Sequence, residues 1–449
     1  MKKKIMFSIL TMALSITAFV GCGNSNAPAG NSSSPTPAPV TNSGSTPAPV
    51  NTDNSDIRLE VFQFKVEFAE AFDRLAHAYT EETGVDVNIT TVGGGSDYGA
   101  ALRANFASGI GPAIFNVGGP DDVASFRDKV TDLSDTESAR IAAEGTLGPV
   151  SEGNSVFGLP MNLEGYGLIY NKAIFEQAGI DPMSITNYAQ LEAAVIELDS
   201  QKADLGIQAV FAFPVMETWV TGLHTLNPVI AGEFGDIIST FEASNLEFVH
   251  EGAFKKIVDL QNDYSVQPTV TLDYSQQVER LFSLGQVAMI QQGNWAYSSI
   301  EDINADFAQN GIGMIPLQYE GISENTIPVG VPNYWAVNAD LDAATQQAAK
   351  DFIDWMNTSE TGKSYVLDEF KFIPAYEGYD LNRIADPLSQ AVYSYASEGR
   401  STNWVFMGFP TDWGMGVVGE TLQAYVTDNM SWEDFIQNAK DRWNASRQR

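Results

Sequence analysis

Residues 156–177, VFGLPMNLEGYGLIYNKAIFEQ, constrain the fold more than any other part of the chain. A short apolar segment ends at Pro160, a polar pair follows, and a second apolar segment begins after a Gly-Tyr-Gly turn. This pattern predicts two strands joined by a flexible crossing that carries the carboxylate of Glu164. Such a carboxylate would lie where two lobes meet, and clefts between lobes are common ligand sites. The alternative is a surface glutamate in an ordinary loop.

The N-terminus has the pattern of a secretory signal over residues 1–21. Three lysines precede an apolar run from Ile5 to Val20, which is too short and wrongly flanked for a membrane-spanning helix. The only cysteine of the chain, Cys22, follows this run. Residues 19–22 resemble a bacterial lipobox, although Phe19 stands where leucine is usual. We therefore expect Cys22 to carry lipid and to hold the protein on the outer face of the cell membrane.

Residues 22–55 are predicted to form an unfolded tether. They are rich in Ser, Asn, Thr, Ala, Gly and Pro, and the pentapeptide Thr-Pro-Ala-Pro-Val occurs twice. Such a composition buries too little apolar surface to fold, and its prolines keep the chain extended. The chain has 449 residues and is 44% hydrophobic, so the part after the tether is long and apolar enough for two or three domains.

Charge and motifs exclude several classes of function. The net charge of −33 argues against nucleic acid or anionic lipid as the partner of the folded part, and it leaves a cationic ligand open. Three widely spaced histidines, without a Cys/His or HExxH pattern, give no support for a metal site, a cofactor or a Ser-His-Asp site. Carboxylates are plentiful, so counting them does not exclude a glycosidase pair.

After the tether the sequence alternates between strand and helix patterns. Residues 58–64 are strand-like, a helix with one apolar face starts at Phe68, and a second strand follows at residues 85–89. This β-α-β unit requires a parallel pair with a right-handed crossover. A further strand is predicted at residues 113–117. In sheets of this kind the carboxyl ends of the strands line the ligand crevice.

Several side chains at predicted strand ends are candidate ligand contacts. Lys65, Asn116 and Asp121 lie at or just past such ends, although ordinary loop polarity would account for them as well. Trp295 follows a predicted buried strand at residues 287–290 and a glycine. An exposed aromatic side chain there would be a platform for the apolar face of a sugar ring. The alternative is a tryptophan packed under its own loop.

Three long segments together resemble the extracellular solute-binding proteins of ABC sugar importers, of the maltose-binding kind. They are residues 158–180, 281–297 and 329–356, with weaker support from residues 106–119, where Pro112-Ala113 replaces the usual Pro-Asp. The similarity covers about residues 58–443. It implies an α/β fold of two lobes, each a sheet flanked by helices, joined by a hinge of three crossings.

The resemblance also implies boundaries for the lobes. The first lobe is expected to comprise residues 56–163 and 315–360, and the second residues 164–314 and 361–449. The three crossings are expected near residues 162–165, 314–317 and 358–365.

Individual site residues follow from the same resemblance. Glu164 matches the hinge carboxylate that accepts sugar hydroxyls, and Trp295 matches the aromatic platform. Trp413 resembles the C-terminal stacking aromatic, and Lys65 resembles the charged residue after the first strand. The remaining expected contacts are Asn116, Trp219, Asn333, Tyr334, Phe409 and Asp412.

The function implied is that of a lipid-anchored receptor that closes on an oligosaccharide and presents it to the permease of an ABC importer. We expect a monomer with no enzymatic activity and no cofactor. Two alternatives stay open: a surface-anchored carbohydrate-active enzyme that uses two carboxylates, and the same fold binding a polyamine or other cation, which aromatic rings can also enclose.

Overall fold

The structure, a computed structural model, describes residues 57–93 and 98–448. The predicted signal (1–21), the lipid site Cys22 and the tether (22–55) lie outside the described residues. Within the described ranges, no helix combines the length and the apolar character needed to cross a membrane.

Thirteen strands are formed by the described residues. In chain order they are β1 (Arg58–Gln63), β2 (Asp86–Thr91), β3 (Ile114–Val117), β4 (Ser151–Glu152), β5 (Ser155–Val156), β6 (Leu159–Pro160), β7 (Glu164–Asn171), β8 (Ala209–Phe211), β9 (Val287–Gly293), β10 (Ile312–Ile315), β11 (Ile327–Gly330), β12 (Tyr334–Val337) and β13 (Ser401–Asn403).

Sixteen α-helices lie between and after these strands in the described ranges. They are α1 (Ala69–Thr83), α2 (Tyr98–Ala107), α3 (Pro120–Ser125), α4 (Glu137–Ile141), α5 (Lys172–Ala178), α6 (Tyr188–Ser200), α7 (Lys202–Leu205), α8 (Asn227–Phe234), α9 (Ile237–Glu242), α10 (Glu251–Asp263), α11 (Ala296–Ile303), α12 (Ala343–Thr358), α13 (Glu360–Ser364), α14 (Pro387–Ser397), α15 (Glu420–Val426) and α16 (Trp432–Arg447).

The first sheet has the strand order β2-β1-β3-β12-β6. β1 runs parallel to both β2 and β3, whereas β12 is antiparallel to β3 and β6. The predicted β-α-β unit is therefore confirmed. Its helix, α1, buries Phe72, Leu75 and Tyr79 against the sheet because these residues recur on one helical face.

The second sheet has the order β13-β11-β7-β9-β8, and β10 pairs with the far end of β7. β7 is antiparallel to its partners: Ile169 lies opposite Ile290 of β9 and Met314 of β10. All eight residues of β7 are buried. A strand buried on both faces reads as an unbroken apolar run, which explains the sequence of residues 168–170.

Each sheet, with its helices, forms one lobe, and the chain passes between the lobes three times. The first passage separates β6 from β7, and the second separates β11 from β12. The third lies between Phe372, which packs in the first-lobe core, and Ile384, which packs in the second-lobe core. The passages run side by side, because the Met161 N–H donates to the Asn333 carbonyl at 2.9 Å and the Leu163 N–H donates to the Ile373 carbonyl at 2.8 Å. The α/β fold of two lobes with a three-crossing hinge is confirmed.

Two of the predicted lobe boundaries differ from the structure. β10 and β11 both pair with β7, so residues 315–330 belong to the second lobe and the second crossing lies at residues 331–333. Phe370 and Phe372 pack in the first-lobe core, so residues 361–372 belong to the first lobe. For residues 315–330 the reason is that an apolar strand has the same sequence pattern whichever sheet it joins.

Candidate functional site

Lys65 and Glu164 meet where the lobes face each other. Lys65 follows β1 of the first lobe, Glu164 begins β7 of the second, and the two form an ion pair with side chains only 5% and 4% exposed. The ammonium also lies 3.7 Å from the Glu67 carboxylate. Burial lowers the pKa of Lys65, but the attraction of Glu164 and Glu67 outweighs it, and the pKa lies above its usual value. Lys65 therefore stays charged in the cleft.

Glu164 has a second partner in the hinge itself. The amide nitrogen of Asn162 donates to Glu164 Oε1 at 3.2 Å. Asn162 belongs to the first crossing, directly before β7, and it is fully buried. Asn162 therefore fixes the position of the Glu164 carboxylate, which lies where the two lobes diverge.

Trp295 folds back over the end of its own strand. A Cβ atom on Gly293 would lie 2.1 Å from the nearest carbon of the Trp295 ring, so only glycine allows this return. The indole N–H donates to Oε1 of Gln292 at 2.9 Å. The ring is 9% exposed, more buried than an exposed platform at a strand end would be.

Trp295 belongs to a group of rings from the second lobe, which we call the aromatic wall. Its members are Tyr166, Trp219, His224, Trp295, Trp404 and Phe406. His224 lies at the centre: its ring stacks on Tyr166 at 4.5 Å and lies 5.2 Å from Trp295. The Tyr166 hydroxyl donates to the backbone carbonyl of His224 at 2.9 Å, which holds the centre of the wall in place.

The electrostatic environment of His224 shows that the wall faces the first lobe. Burial lowers the pKa of His224 to about 3, and the positive charge of Lys65 adds to the shift. An imidazole in this position is neutral at physiological pH. Lys65 must therefore lie close enough to His224 to act on it from across the cleft.

A small cavity remains between the wall and the first lobe. It has a volume of only about 10 Å³, and it is bounded by Glu164 and Trp295 on one side and by Phe68 and Lys371 on the other. Binding pockets for small molecules usually measure roughly 300–1,000 Å³. The lobes must therefore move apart before a ligand of the usual size can enter.

Several buried polar atoms near the cleft have no hydrogen-bond partner among the described residues. They are both amide atoms of Asn116, the indole nitrogen of Trp404 and the amide oxygen of Asn162. Asn116 lies at the end of β3, two residues before a glycine that touches the second lobe. Buried polar atoms are nearly always paired, so unpaired ones at a cleft indicate groups that a ligand can satisfy.

Further contacts join the lobes across the cleft. Met407 of the second lobe packs on Gly118 and Gly119, which precede α3. Lys371 of the first lobe pairs with Glu301 of α11. Together with the pair between Lys65 and Glu164, these contacts describe a closed arrangement.

Asp121, a candidate from its place beyond β3, also takes part in closure. Its carboxylate accepts a hydrogen bond from the Thr411 hydroxyl of the second lobe. The structure thus gives Asp121 an interlobe role rather than a place beside the aromatic wall.

The structure does not bring the other expected contacts to this cleft. Trp413 is 2% exposed in the second-lobe core, where its indole donates to the Ala439 carbonyl at 2.8 Å and its ring lies 4.8 Å from Trp443. Phe409 packs against the same two rings. Trp413 and Phe409 therefore serve the core, since their positions are set by packing against α16.

Three more expected contacts lie elsewhere. Tyr334 is buried in the first-lobe core and donates to the Thr146 carbonyl at 3.0 Å. Asn333 belongs to the second crossing, where its carbonyl accepts from Met161. Asp412 is exposed at a left-handed turn with φ 62°.

The structure adds residues that the sequence did not single out as contacts. Trp404 and Phe406 stand in the aromatic segment at residues 402–416, from which Trp413 and Phe409 were chosen instead. Tyr166 stands two residues after Glu164 in the crossing segment. His224 was set aside because it matched no metal or catalytic motif, and only its packing among the rings marks it. Within residues 57–93 and 98–448, no group of three or more His, Cys, Asp or Glu side chains is arranged to hold a metal ion.

Comparison with known families gives one match over most of the chain. The sequence profile of the family described as bacterial extracellular solute-binding protein matches residues 65–363. A search of curated proteins returned no match.

Solved structures with the same fold cover nearly all of the described chain. A structure of the solute-binding protein RafE in complex with raffinose aligns with a TM-score of 0.71 and 17% identity, over 87% of this chain and 100% of that one. A chitin oligosaccharide binding protein aligns with a TM-score of 0.72 and 21% identity, over 87% and 99%. The ABC substrate-binding protein Lmo0181 from Listeria monocytogenes, in complex with cycloalternan, aligns with a TM-score of 0.66 and 18% identity, over 87% and 98%.

Proposed function

The chain belongs to the family of bacterial extracellular solute-binding proteins, and from this premise we propose that it is a receptor for an oligosaccharide. We propose that it takes the sugar into the cleft between its lobes and delivers it to the permease of an ABC importer. The observation that carries the proposal is the pairing of surfaces in the cleft, with an aromatic wall on one lobe and charged and amide groups on the other.

The two surfaces suit the two sides of a sugar ring. Indole and phenol rings offer large apolar faces that pack on the C–H face of a pyranose. Glu164, Asn116 and the indole nitrogen of Trp404 offer an acceptor, an amide and a donor to the hydroxyl groups. That three structures with this fold are named for raffinose, chitin oligosaccharide and cycloalternan supports a sugar as the ligand.

Binding is proposed to proceed by closure of the hinge. A ligand shifts the equilibrium toward the closed state only through contacts that the open state lacks. A sugar lying on the aromatic wall gains such contacts when the first lobe brings Lys65 and Asn116 over it. Removing one partner of such a hydrogen bond leaves a buried group unpaired, at a cost of about 1–3 kcal/mol.

A calorimetric screen of neutral oligosaccharides, including raffinose and chitin oligosaccharides, tests the proposal. We expect at least one saccharide to bind saturably, and Glu164→Gln to weaken that affinity at least tenfold, roughly the 1.4 kcal/mol of one hydrogen bond to a charged group. If no saccharide binds, the proposal of a sugar ligand is wrong. If a saccharide binds and Glu164→Gln leaves its affinity unaltered, Glu164 is not part of the site.

One observation favours a second candidate, a polyamine or other cation. Burial raises the pKa of the Tyr274 hydroxyl, and the negative charges of Glu67, Glu279 and Glu217 raise it further. One of them, Glu217, accepts from the Trp219 indole at 2.7 Å and from the Tyr274 N–H at 2.8 Å, so it lies beside the aromatic wall. Spermidine in the same screen distinguishes the two ligand classes, because binding of spermidine but of no saccharide would select the cation.

We further propose that the protein does not turn over its ligand. A glycosidase needs a protonated and an ionised carboxyl group on either side of the scissile bond. Glu164 is instead held in an ion pair with Lys65, so it is not free to act on a scissile bond. Release of reducing sugar above a protein-free control would contradict this proposal and support the enzyme hypothesis.

The protein is proposed to act as a monomer on the outside of the cell. Its family is extracellular. Lipid on Cys22 and a tether over residues 22–55 would hold the lobes near the membrane, within reach of the permease.

A further inference from the structure

A chain of buried amides leads from Trp295 into the second-lobe core. The indole N–H of Trp295 donates to Gln292 Oε1 at 2.9 Å, and Gln292 Nε2 donates to Gln277 Oε1 at 2.8 Å. Gln277 Nε2 then donates to the Ala212 carbonyl at 2.8 Å. The chain is directional, because each group donates to the next and the last acceptor belongs to the backbone.

The two glutamines are held where water does not reach them. Gln292 is 1% exposed and Gln277 is fully buried. Buried side-chain amides are costly unless they are paired, and in the low-dielectric core each paired one strengthens its neighbour. Gln292 stands on β9, whereas Gln277 stands on the π-helical segment Ser275–Phe282. The chain therefore ties the Trp295 ring to two separate elements.

We propose that Gln292 and Gln277 are positioning residues that fix the plane of the Trp295 indole in the cleft. Gly293 permits the ring to return over β9, but a missing side chain sets no direction. The direction comes from the hydrogen bond at the ring nitrogen, and Gln277 in turn fixes the amide that makes it. Neither glutamine needs to touch the ligand for this role.

The inference has a consequence for ligand recognition, which rests on the proposed function. Trp295 uses its single donor internally, so it offers a ligand only its ring face. Trp404, whose indole nitrogen has no partner among the described residues, is the tryptophan of the aromatic wall that can donate to a hydroxyl. The two indoles thus divide stacking and hydrogen bonding between them.

Indole N–H signals of protein labelled with ¹⁵N-tryptophan, recorded without ligand, test the positioning role. The chain has eight tryptophans, and Trp295→Phe identifies the signal of Trp295 by its loss. We expect the Trp295 N–H to exchange with solvent at least tenfold more slowly than that of Trp219, whose partner Glu217 lies at the half-buried rim. Equal exchange rates in the wild-type protein would overturn the proposal without any further variant.

Variants then test the second step of the chain. Gln277→Met should shift the Trp295 signal and speed its exchange about tenfold, although residue 277 bonds Gln292 and not the indole. Gln277→Glu should keep the wild-type signal, because a carboxyl group buried without a cationic partner is neutral and can both accept from Gln292 and donate to Ala212.

Gln261→Met is the matched control. Gln261 is 1% exposed and donates to Gln291 on β9, but it is not part of the path to Trp295. It should leave the Trp295 signal in place. A signal that moves equally in both methionine variants, or in neither, contradicts a positioning role. Because these spectra contain no ligand, that failure is distinct from a failure of sugar binding in the calorimetric screen.

Discussion

Glu164 and Lys65 show how partner and burial together set the chemistry of a side chain. In the closed cleft each compensates the charge of the other, so neither is left unpaired where water is excluded. A sugar hydroxyl that reaches Glu164 has to share it with Lys65 and Asn162. Because Asn162 lies in the same crossing as Glu164, its amide can hold the carboxylate in place before a ligand arrives, and binding then requires little rearrangement of it.

His224 predicts a dependence of stability on pH. Its pKa is about 3 in the folded protein against 6.5 in an unfolded chain, so below pH 6.5 protons bind the unfolded chain preferentially and favour unfolding. The stability is complete above 6.5, and at pH 5 about 2 kcal/mol should be lost, at 1.36 kcal/mol for each pH unit. Urea unfolding at several pH values measures this. His224→Gln should flatten the slope between pH 6.5 and 5, and an identical slope in the variant would contradict the assignment.

Trp413 and Trp219 should respond in opposite ways to truncation. Trp413→Ala removes a ring packed between Phe409 and Trp443 and should cost about 3–5 kcal/mol of unfolding free energy, with little change in ligand affinity. Trp219→Ala removes a half-buried ring of the aromatic wall and should weaken binding at a smaller cost in stability. Denaturant unfolding and calorimetry on both variants check this, and the reverse pattern would place Trp413 in the site.

Among the elements, those with local signals follow the sequence closely. α16 begins with a capping residue, since Ser431 Oγ accepts from the Asp434 N–H at 3.1 Å. Its buried residues include Phe435, Ala439 and Trp443, which recur at helical spacing in the sequence. β10 and β11 had no such signal for their lobe, because their partner β7 lies more than 140 residues away. Strand pairing between segments so far apart in sequence leaves no periodic pattern in the local sequence.

The glycine before α3 allows a steric test of lobe closure. A Cβ on Gly119, just before this helix, would lie 2.9 Å from Met407 Cβ and 3.1 Å from its carbonyl oxygen. Gly119→Ala should therefore oppose the closed state by about 1–3 kcal/mol, which weakens ligand affinity roughly five- to hundredfold. Small-angle scattering should show a larger radius of gyration for the variant.

Gly148→Ala is the control for closure, because a Cβ at that position in the first lobe meets no atom within 4 Å. It should match the wild-type protein in scattering and in affinity. If Gly119→Ala also matches the wild type in both measurements, the contact with Met407 does not limit closure.

At the level of the complete protein, a strongly acidic pair of lobes follows a segment, residues 23–54, that contains no lysine, arginine or glutamate. The acidic charge opposes adhesion of the lobes to an anionic membrane surface. Attachment to the membrane would therefore need another means, and we propose the lipid on Cys22.

The expected lipid on Cys22 leads to a prediction about the cell fraction in which the protein is found. Cys22→Ser removes the thiol that would carry the lipid, so the protein should move from the membrane fraction to the soluble extracellular fraction. The affinity of the lobes for ligand should not change, because the anchor and the cleft are far apart along the chain. Fractionation followed by immunoblotting measures this, and retention of the variant in membranes would show another mode of attachment.

Local patterns in the sequence were enough to predict the β-α-β unit, the start of α1 and a crossing that carries Glu164. Each of these depends on periodicity, on caps or on a short motif, which act between neighbours along the chain. The aromatic wall, the burial of Trp413 and the second crossing depended on contacts between residues far apart in sequence. A tryptophan in a core and a tryptophan in a cleft have the same letter and similar neighbours, and which surface covers the ring is settled only when the lobes pack.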